Sequence, residues 1–174
     1  MKKVILASVI TSTLFAANAA AQGPRIGIGM STTGAESITA EKGLKIEGGY
    51  DINDIFAVVA SYETSSFDQS NSYGTYKDDF TTLKFGMEFG YTFHSEEGIA
   101  VKPFVTTGFH YSDVDWEYDR HSGSFGDENF YYGAGVRASG ENVYVQLSKD
   151  KLHFNVGGYN VVPGQLALTV GFKF

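Results

Sequence analysis

Leu166-Ala167-Leu168-Thr169-Val170-Gly171-Phe172-Lys173-Phe174 closes the sequence and decides its fold. Side chains alternate across a β-strand with period two. Leu166, Leu168, Val170, Phe172 and Phe174 therefore share one face, and Ala167, Thr169, Gly171 and Lys173 share the other. A strand that meets lipid on one side and a polar barrel interior on the other has this composition.

Working back along the chain, the same alternation predicts seven more strands. Ile26, Ile28 and Met30 alternate with Gly27 and Gly29; Leu44, Ile46, Gly48 and Tyr50 with Lys45, Glu47 and Gly49; Phe56, Val58, Ala60 and Tyr62 with Ala57, Val59, Ser61 and Glu63. Leu83 through Phe93 is the longest run, and Val101–Tyr111, Phe130–Ser139 and Val143–Ser148 follow. The expected fold is all-β, an eight-stranded antiparallel up-and-down transmembrane barrel with short periplasmic turns and four longer external loops. Tilted spans of about 9–11 residues and an even strand number fit such a barrel.

The connections support this. Asp51–Asp54, His94–Gly98 and Gly140–Asn142 read as short turns, whereas Thr33–Ala40, Thr64–Asp79, Ser112–Glu128 and Lys149–Pro163 read as long loops at the other rim. Leu152, Phe154 and Val156 suggest a bulge that extends the seventh strand into the last loop.

A magnitude decides which face points outward. One face carries Lys45, Glu47, Glu63, Lys84, Glu88, Lys102, Arg137 and Lys173. Lysine or arginine on the lipid face costs up to ~2–4 kcal/mol at the midplane, so turning all eight outward would cost on the order of 10–20 kcal/mol, a whole domain's stability. These residues must face the lumen. An eight-stranded barrel is just wide enough for side chains to fill it. Mutual pairing, with help from Tyr131, Tyr144 and Gln146, is the expected arrangement, and a continuous ion path is the rival. Outward Tyr50, Phe56, Tyr62, Tyr91, Phe93, Tyr111 and Phe172 fall near strand ends, where aromatic girdles sit.

Lys2 and Lys3, the apolar run from Val4 to about Phe15 and the small residues Ala19-Ala20-Ala21 before Gln22 predict a cleaved Sec signal peptide over 1–21 and a barrel domain over 22–174. The apolar run is well short of the roughly 20 residues that a spanning helix needs. The net charge is −7, and removing 1–21 takes away two lysines and no acid. That balance argues against a nucleic-acid partner. Cysteine is absent, which excludes disulfides and thiolate metal sites.

Asp113-Val114-Asp115-Trp116-Glu117-Tyr118-Asp119-Arg120 is the most distinctive local stretch. Extended, it puts Asp113, Asp115, Glu117 and Asp119 on one side and Val114, Trp116 and Tyr118 on the other. Tyr118 stands where an EF-hand needs glycine and Ser124 where it needs glutamate, so no metal site or cofactor is expected. Instead the flanking strands are expected to project above the membrane, with the acids in water or bridged by divalent cations to lipopolysaccharide phosphates. Thr64–Asp79 mixes Phe67, Tyr73 and Tyr76 with small polar residues, which suits either a contact surface or a solvated loop.

Gly48-Gly49-Tyr50-Asp51-Ile52-Asn53 before a turn, Lys102-Pro103-Phe104-Val105 opening a strand, Gly133-Ala134-Gly135-Val136, and Gly171-Phe172-Lys173-Phe174 complete the pattern. With these residues the chain resembles the small eight-stranded outer-membrane barrels: the OmpX/Ail group, the OmpA transmembrane domain and the generic porin-like barrel family. The resemblance implies an integral protein of a Gram-negative outer membrane. It further implies a non-enzymatic role in which external loops act in adhesion, envelope integrity or lipopolysaccharide contact. A narrow ion or solute channel is the alternative. Some barrels of this size modify lipid A, and those deacylases carry a His-x-Ser pair; His121-Ser122 departs from that spacing. The apolar alternation of Leu166, Leu168, Val170 and Phe172 up to Phe174 resembles the signal read by the barrel-assembly machinery, with periplasmic chaperones as further partners. Lipid, lipopolysaccharide and a host or surface ligand are the remaining expected partners.

Overall fold

Eleven strands arise from the alternating segments: β1 (Gly23–Gly34), β2 (Glu41–Asp51), β3 (Phe56–Asn71), β4 (Gly74–Gly90), β5 (Phe93–His94), β6 (Ala100–Tyr118), β7 (His121–Ser139), β8 (Val143–Leu152), β9 (Phe154–Val156), β10 (Tyr159–Val161) and β11 (Gly164–Lys173). They are seen in a computed structural model that describes residues 23–34, 41–71, 74–118, 121–156 and 158–174. Eight of them are staves of an antiparallel barrel in the order β4-β3-β2-β1-β11-β8-β7-β6, closed by pairing of β4 with β6. β5 is a stub against the start of β6, and β9 with β10 forms a separate small hairpin. Closure removes every sheet edge at membrane depth, where an unpaired backbone group would have no water to bond.

The faces are inside-out relative to a soluble protein. Ile28, Phe109 and Val170 are 58%, 74% and 53% exposed, whereas Arg25, Glu47, Lys84 and Arg137 are each no more than 2% exposed. The apolar band is the lipid-facing surface, and the charges lie inside as their cost in lipid requires.

At one rim, residues 52–55 and 140–142 make tight turns and 91–99 a longer one. Asn53 Oδ1 accepts from the backbone N–H of Ile55 and Phe56 at 2.9 and 2.7 Å, an Asx turn that sets the β2–β3 reversal. Gly98 takes φ +80°, which favours glycine.

The opposite rim corrects three expectations. Thr64–Asp79 and Ser112–Glu128 are not loops: β3 and β4 stay paired to Asn71↔Gly74, and β6 and β7 to Tyr118↔His121. β4 and β6 stay paired up to Tyr76↔Tyr118, which joins the two hairpins into one four-stranded wall. Finally, β8 carries no bulge. Its register runs unbroken from Val143 to Leu152, and Asp150, Leu152 and Phe154 keep the inward phase of Tyr144 and Gln146. Polarity inverts there, not phase, because beyond the lipid the outer face meets water and the inner face can be apolar.

Candidate functional site

The lumen holds two layers of paired charge. Toward the short turns, Arg25 Nη1 donates to Asp51 Oδ1 at 2.7 Å and Nη2 to Glu88 Oε1 at 2.8 Å. Arg137 takes the other Glu88 oxygen at 2.5 Å, reaches Asp51 at 3.2 Å, and donates Nε–H to Gln146 Oε1 at 2.8 Å. Gln146 in turn donates to Glu47 at 2.9 Å. The Arg137 guanidinium also lies over the rings of Phe104 and Tyr144. Gly49 makes room for Arg25, since a Cβ there would fall 2.5 Å from the guanidinium carbon.

The second layer lies nearer the wall. Lys84 pairs with Glu63 at 2.6 Å and Asp150 at 2.5 Å and donates to Gln165 Oε1 at 2.8 Å. Lys45 bridges the layers through Glu47 at 3.0 Å and Glu63 at 3.7 Å. Lys102 stands 3.9 Å from Asp51. Among the described residues the buried cations Arg25, Lys45, Lys84, Lys102 and Arg137 thus face the carboxylates Glu47, Asp51, Glu63, Glu88 and Asp150, a balance of charge. The cavity left among these side chains is about 20 Å³, on the order of one water.

Above the second layer the mouth is stoppered. Phe154, 4% exposed, packs with Phe80, Tyr131 and Leu152, and Val114 and Phe125 lie against this cluster. His110 points inward, as expected. Its Nδ1 is 2.9 Å from Ser112 Oγ, its Nε2 donates to the His153 carbonyl at 2.8 Å, and its ring lies 4.9 Å from Phe154. On the outer face, His153 stacks on Phe130 at 4.1 Å.

On the wall, polarity switches between adjacent outward positions of β6. Tyr111 belongs to the apolar band, and its hydroxyl donates to Asp113 at 3.0 Å. From Asp113 upward the outer face is acidic. Asp79 stands directly opposite Asp115, Lys77 opposite Glu117 and Tyr111 opposite Glu128. Lys77, Asp79, Asp115, Glu117 and Ser124 line a shallow groove of about 390 Å³. The inner face carries Val114, Trp116 and Phe125, with Trp116 paired to Gly123.

Most of the charged residues expected in the lumen are brought together there: Lys45, Glu47, Glu63, Lys84, Glu88, Lys102 and Arg137. Lys173 is not; it is half-buried at the rim, and no ion pair reaches it among the described residues. Its strand is leaving the barrel at that point. The expected excess of bases over acids is likewise corrected, because Arg25, Asp51 and Asp150 complete the network. Asp113, Asp115, Trp116 and Glu117 lie on the wall; Tyr118 is described in its backbone alone, and Asp119 lies outside the described residues, as does the signal segment 1–21. Leu166, Leu168, Val170, Phe172 and Phe174 form an outward row, and the Phe174 N–H donates to the Pro24 carbonyl at 3.0 Å. His94 approaches Asp54 at 3.4 Å at the turn rim.

Sequence reading missed Arg25, Asp51, Asp150, Gln165 and Phe154. Arg25 shares its parity with Gly27 and Gly29, a signal that extending the first strand by one residue would have found.

A family model for the outer membrane protein β-barrel domain matches residues 4–174. No curated protein is similar to the chain at a significant level. Among solved structures, Ail, the attachment invasion locus protein of Yersinia pestis, is similar at TM-score 0.60 and 18% identity, over 87% of this chain and 97% of that one. Neisserial surface protein A follows at 0.59 and 18%, over 87% and 96%. The N-terminal barrel domain of Pseudomonas aeruginosa OprF gives 0.55 and 18%, over 86% and 97%. At these identities the likeness is one of fold, but the family match spans nearly the whole sequence. The chain belongs to the outer membrane protein β-barrel domain family.

Proposed function

We propose that this protein is a non-enzymatic surface-interaction barrel of a Gram-negative outer membrane, and that its working part is the β3–β4–β6–β7 wall. The observation that carries this is the polarity switch between Tyr111 and Asp113. From Ser112 to Tyr118, β6 continues as paired strand for roughly 20 Å beyond the apolar band. A closed barrel does not need that extension in order to span lipid. Such a rigid projecting sheet supports contact with molecules outside the membrane: lipopolysaccharide through bridging cations, matrix or a host surface.

The lumen favours the same reading over a channel, since its charges are neutralised in pairs and Phe154 fills the mouth. His121 and Ser122 are neighbours on one extended strand, so their side chains diverge and do not form a nucleophile–base pair. Ail has been solved with the heparin analogue sucrose octasulfate. That ligand class does not transfer to the outer face of this wall, where Asp79, Asp113, Asp115, Glu117 and Glu128 would repel a polysulfate.

The test uses the register. Joining Ser65 to Phe80 and Ser112 to Asp127 through two-residue turns removes the wall between paired positions and leaves the barrel intact. Cells carrying the trimmed protein should lose binding to immobilised lipopolysaccharide, matrix proteins or host cells that wild-type cells show. Equal binding by both would overturn the proposal, and identical lipid A mass spectra with and without the gene are expected.

A further inference from the structure

The lumen is neutral as a whole, yet its charge is unevenly divided between the two layers. Toward the short turns Arg25, Lys102 and Arg137 face Asp51 and Glu88; in the outer layer Lys45 and Lys84 face Glu47, Glu63 and Asp150. Glu47 stands between them, 3.0 Å from Lys45 and 3.7 Å from Arg25. The turn-side layer therefore carries one cation in excess, and the outer layer one carboxylate. Unsatisfied polar atoms follow the same division. Arg25 Nε and Lys102 Nζ lack a hydrogen-bond acceptor among the described residues, whereas Glu63 Oε2 and Asp150 Oδ1 lack a donor.

Strand register concentrates the excess at the turn-side mouth. Lys102 lies directly opposite Arg137 across β6 and β7, and Lys173 directly opposite Arg25 across β11 and β1. Like charges so placed repel, whereas the outer layer sets Lys45 opposite Glu63. Asp51 does not resolve this alone. Its Oδ1 already takes Arg25 at 2.7 Å and Arg137 at 3.2 Å, and Lys102 stays 3.9 Å from the same oxygen. Lys102 is only 4% exposed, so bulk water solvates little of its charge. An ammonium in that position is costly unless an anion meets it. Ser139, the next inward residue of β7 beyond Arg137, brings a hydroxyl to the same end.

We propose that the turn-side mouth binds a phosphate group on Lys102, with Lys173 as the cation at its entrance. The group is either free phosphate in the periplasm or the headgroup phosphate of an inner-leaflet phospholipid at the rim. Phosphate offers several acceptor oxygens, so one group can meet both ammonium groups and a hydroxyl at once. The site stands at the opposite end of the barrel from the wall and does not depend on the surface-interaction reading.

The probe is inorganic phosphate, titrated against the full protein in maltoside micelles, which hold no lipid phosphate, with ionic strength kept constant by chloride. Amide shifts at Lys102, Ser139 and Lys173 that saturate with phosphate are expected, as is an unfolding midpoint that rises with phosphate and not with chloride. Lys102→Met should weaken phosphate binding at least about tenfold, the worth of one hydrogen bond to a charged group. Without phosphate the same variant should unfold no earlier than the wild type, because Asp51 is already held by two arginines. That readout separates a ligand-binding lysine from a structural one. Lys149→Met, at the opposite rim, should leave phosphate binding unchanged.

Nanodiscs of phosphatidylglycerol distinguish the two sources. Signals already at their saturated positions before phosphate is added assign the site to a lipid headgroup; signals that still move with added phosphate assign it to the free anion. Wild-type signals that stay still in micelles would overturn the proposal whatever the variants do. An equal response to chloride would reduce the effect to screening and overturn it too. So would a Lys102→Met variant that binds phosphate as well as the wild type, or one that is destabilised in its absence.

Discussion

Arg25 and Glu88 are 63 residues apart in sequence and 2.8 Å apart in the lumen, where Glu88 offers its second oxygen to Arg137. One carboxylate thus ties β4 to β1 and β7, which lie three and two strands away around the barrel. Removing it would leave two buried guanidinium groups sharing Asp51, with Glu47 at 3.7 Å from Arg25 as the one further carboxylate paired with either. Glu88→Ala should therefore destabilise the barrel by about 3–5 kcal/mol, the range for breaking a buried pair. Arg25→Met with Glu88→Met should cost clearly less than the sum of the single changes, since neither charge is then stranded. Urea unfolding in lipid vesicles reads both values, and additive losses would show that the two residues are not coupled.

The same pairing sets an expectation for conductance. Phe154 closes the mouth, and the two charged layers close the bore independently below it. Planar bilayers with the wild-type protein should show no ion steps, and Phe154→Ala should stay silent as well. Steps that vanish on changing Arg137 or Glu88 would establish a path through the layers instead.

Seven of the lumen charges were legible in the sequence because lipid imposes a strict rule on each span: apolar outward, polar inward. The rule holds only at membrane depth. At Lys149 the outward row of β8 turns basic and its inward row becomes apolar at Leu152 and Phe154, which reads as a loop or a bulge although the strand continues. Asp150 was lost to the network for that reason. Asp51 was lost because Asp-Ile-Asn-Asp has turn chemistry, yet its first residue still ends β2 with its carboxylate on two arginines. The wall was hidden too. Ser, Asp and Gly in Thr64–Asp79 and Ser112–Glu128 have weak intrinsic strand preference, and cross-strand pairing overrides it.

The seam between β1 and β11 depends on one aromatic ring. Tyr144 lies under Gly27 and Gly171; a Cβ at Gly27 would fall 2.3 Å from its hydroxyl oxygen and one at Gly171 2.5 Å from its ring. Gly27→Ala should cost about 1–3 kcal/mol through overpacking. Tyr144→Phe withdraws the nearest atom, so the double variant should lose less than the two single changes together. At Gly171 the new Cβ would also meet the Ile26 carbonyl at 2.2 Å, and no side-chain change can relieve that. Unfolding midpoints for the four variants separate the cases; equal rescue at both glycines would contradict the assignment.

Asp79 faces Asp115 directly across β4 and β6, and Asp113 stands one step diagonal to Asp79 on the same outer face. Like charges directly opposite on neighbouring strands are destabilising, by roughly 0.2–1 kcal/mol per pair. Asp79→Asn should therefore stabilise the wall by about that amount at low salt, and the gain should shrink as ionic strength screens the exposed pair. Amide exchange along residues 112–117 reads it locally, without unfolding the barrel. If the acids serve a basic partner, the same substitution should weaken the binding of a lysine-rich peptide used as a probe while strengthening the wall. Opposite signs for stability and binding are what a surface kept acidic for recognition would give; a change that left binding untouched would make Asp79 irrelevant to the partner.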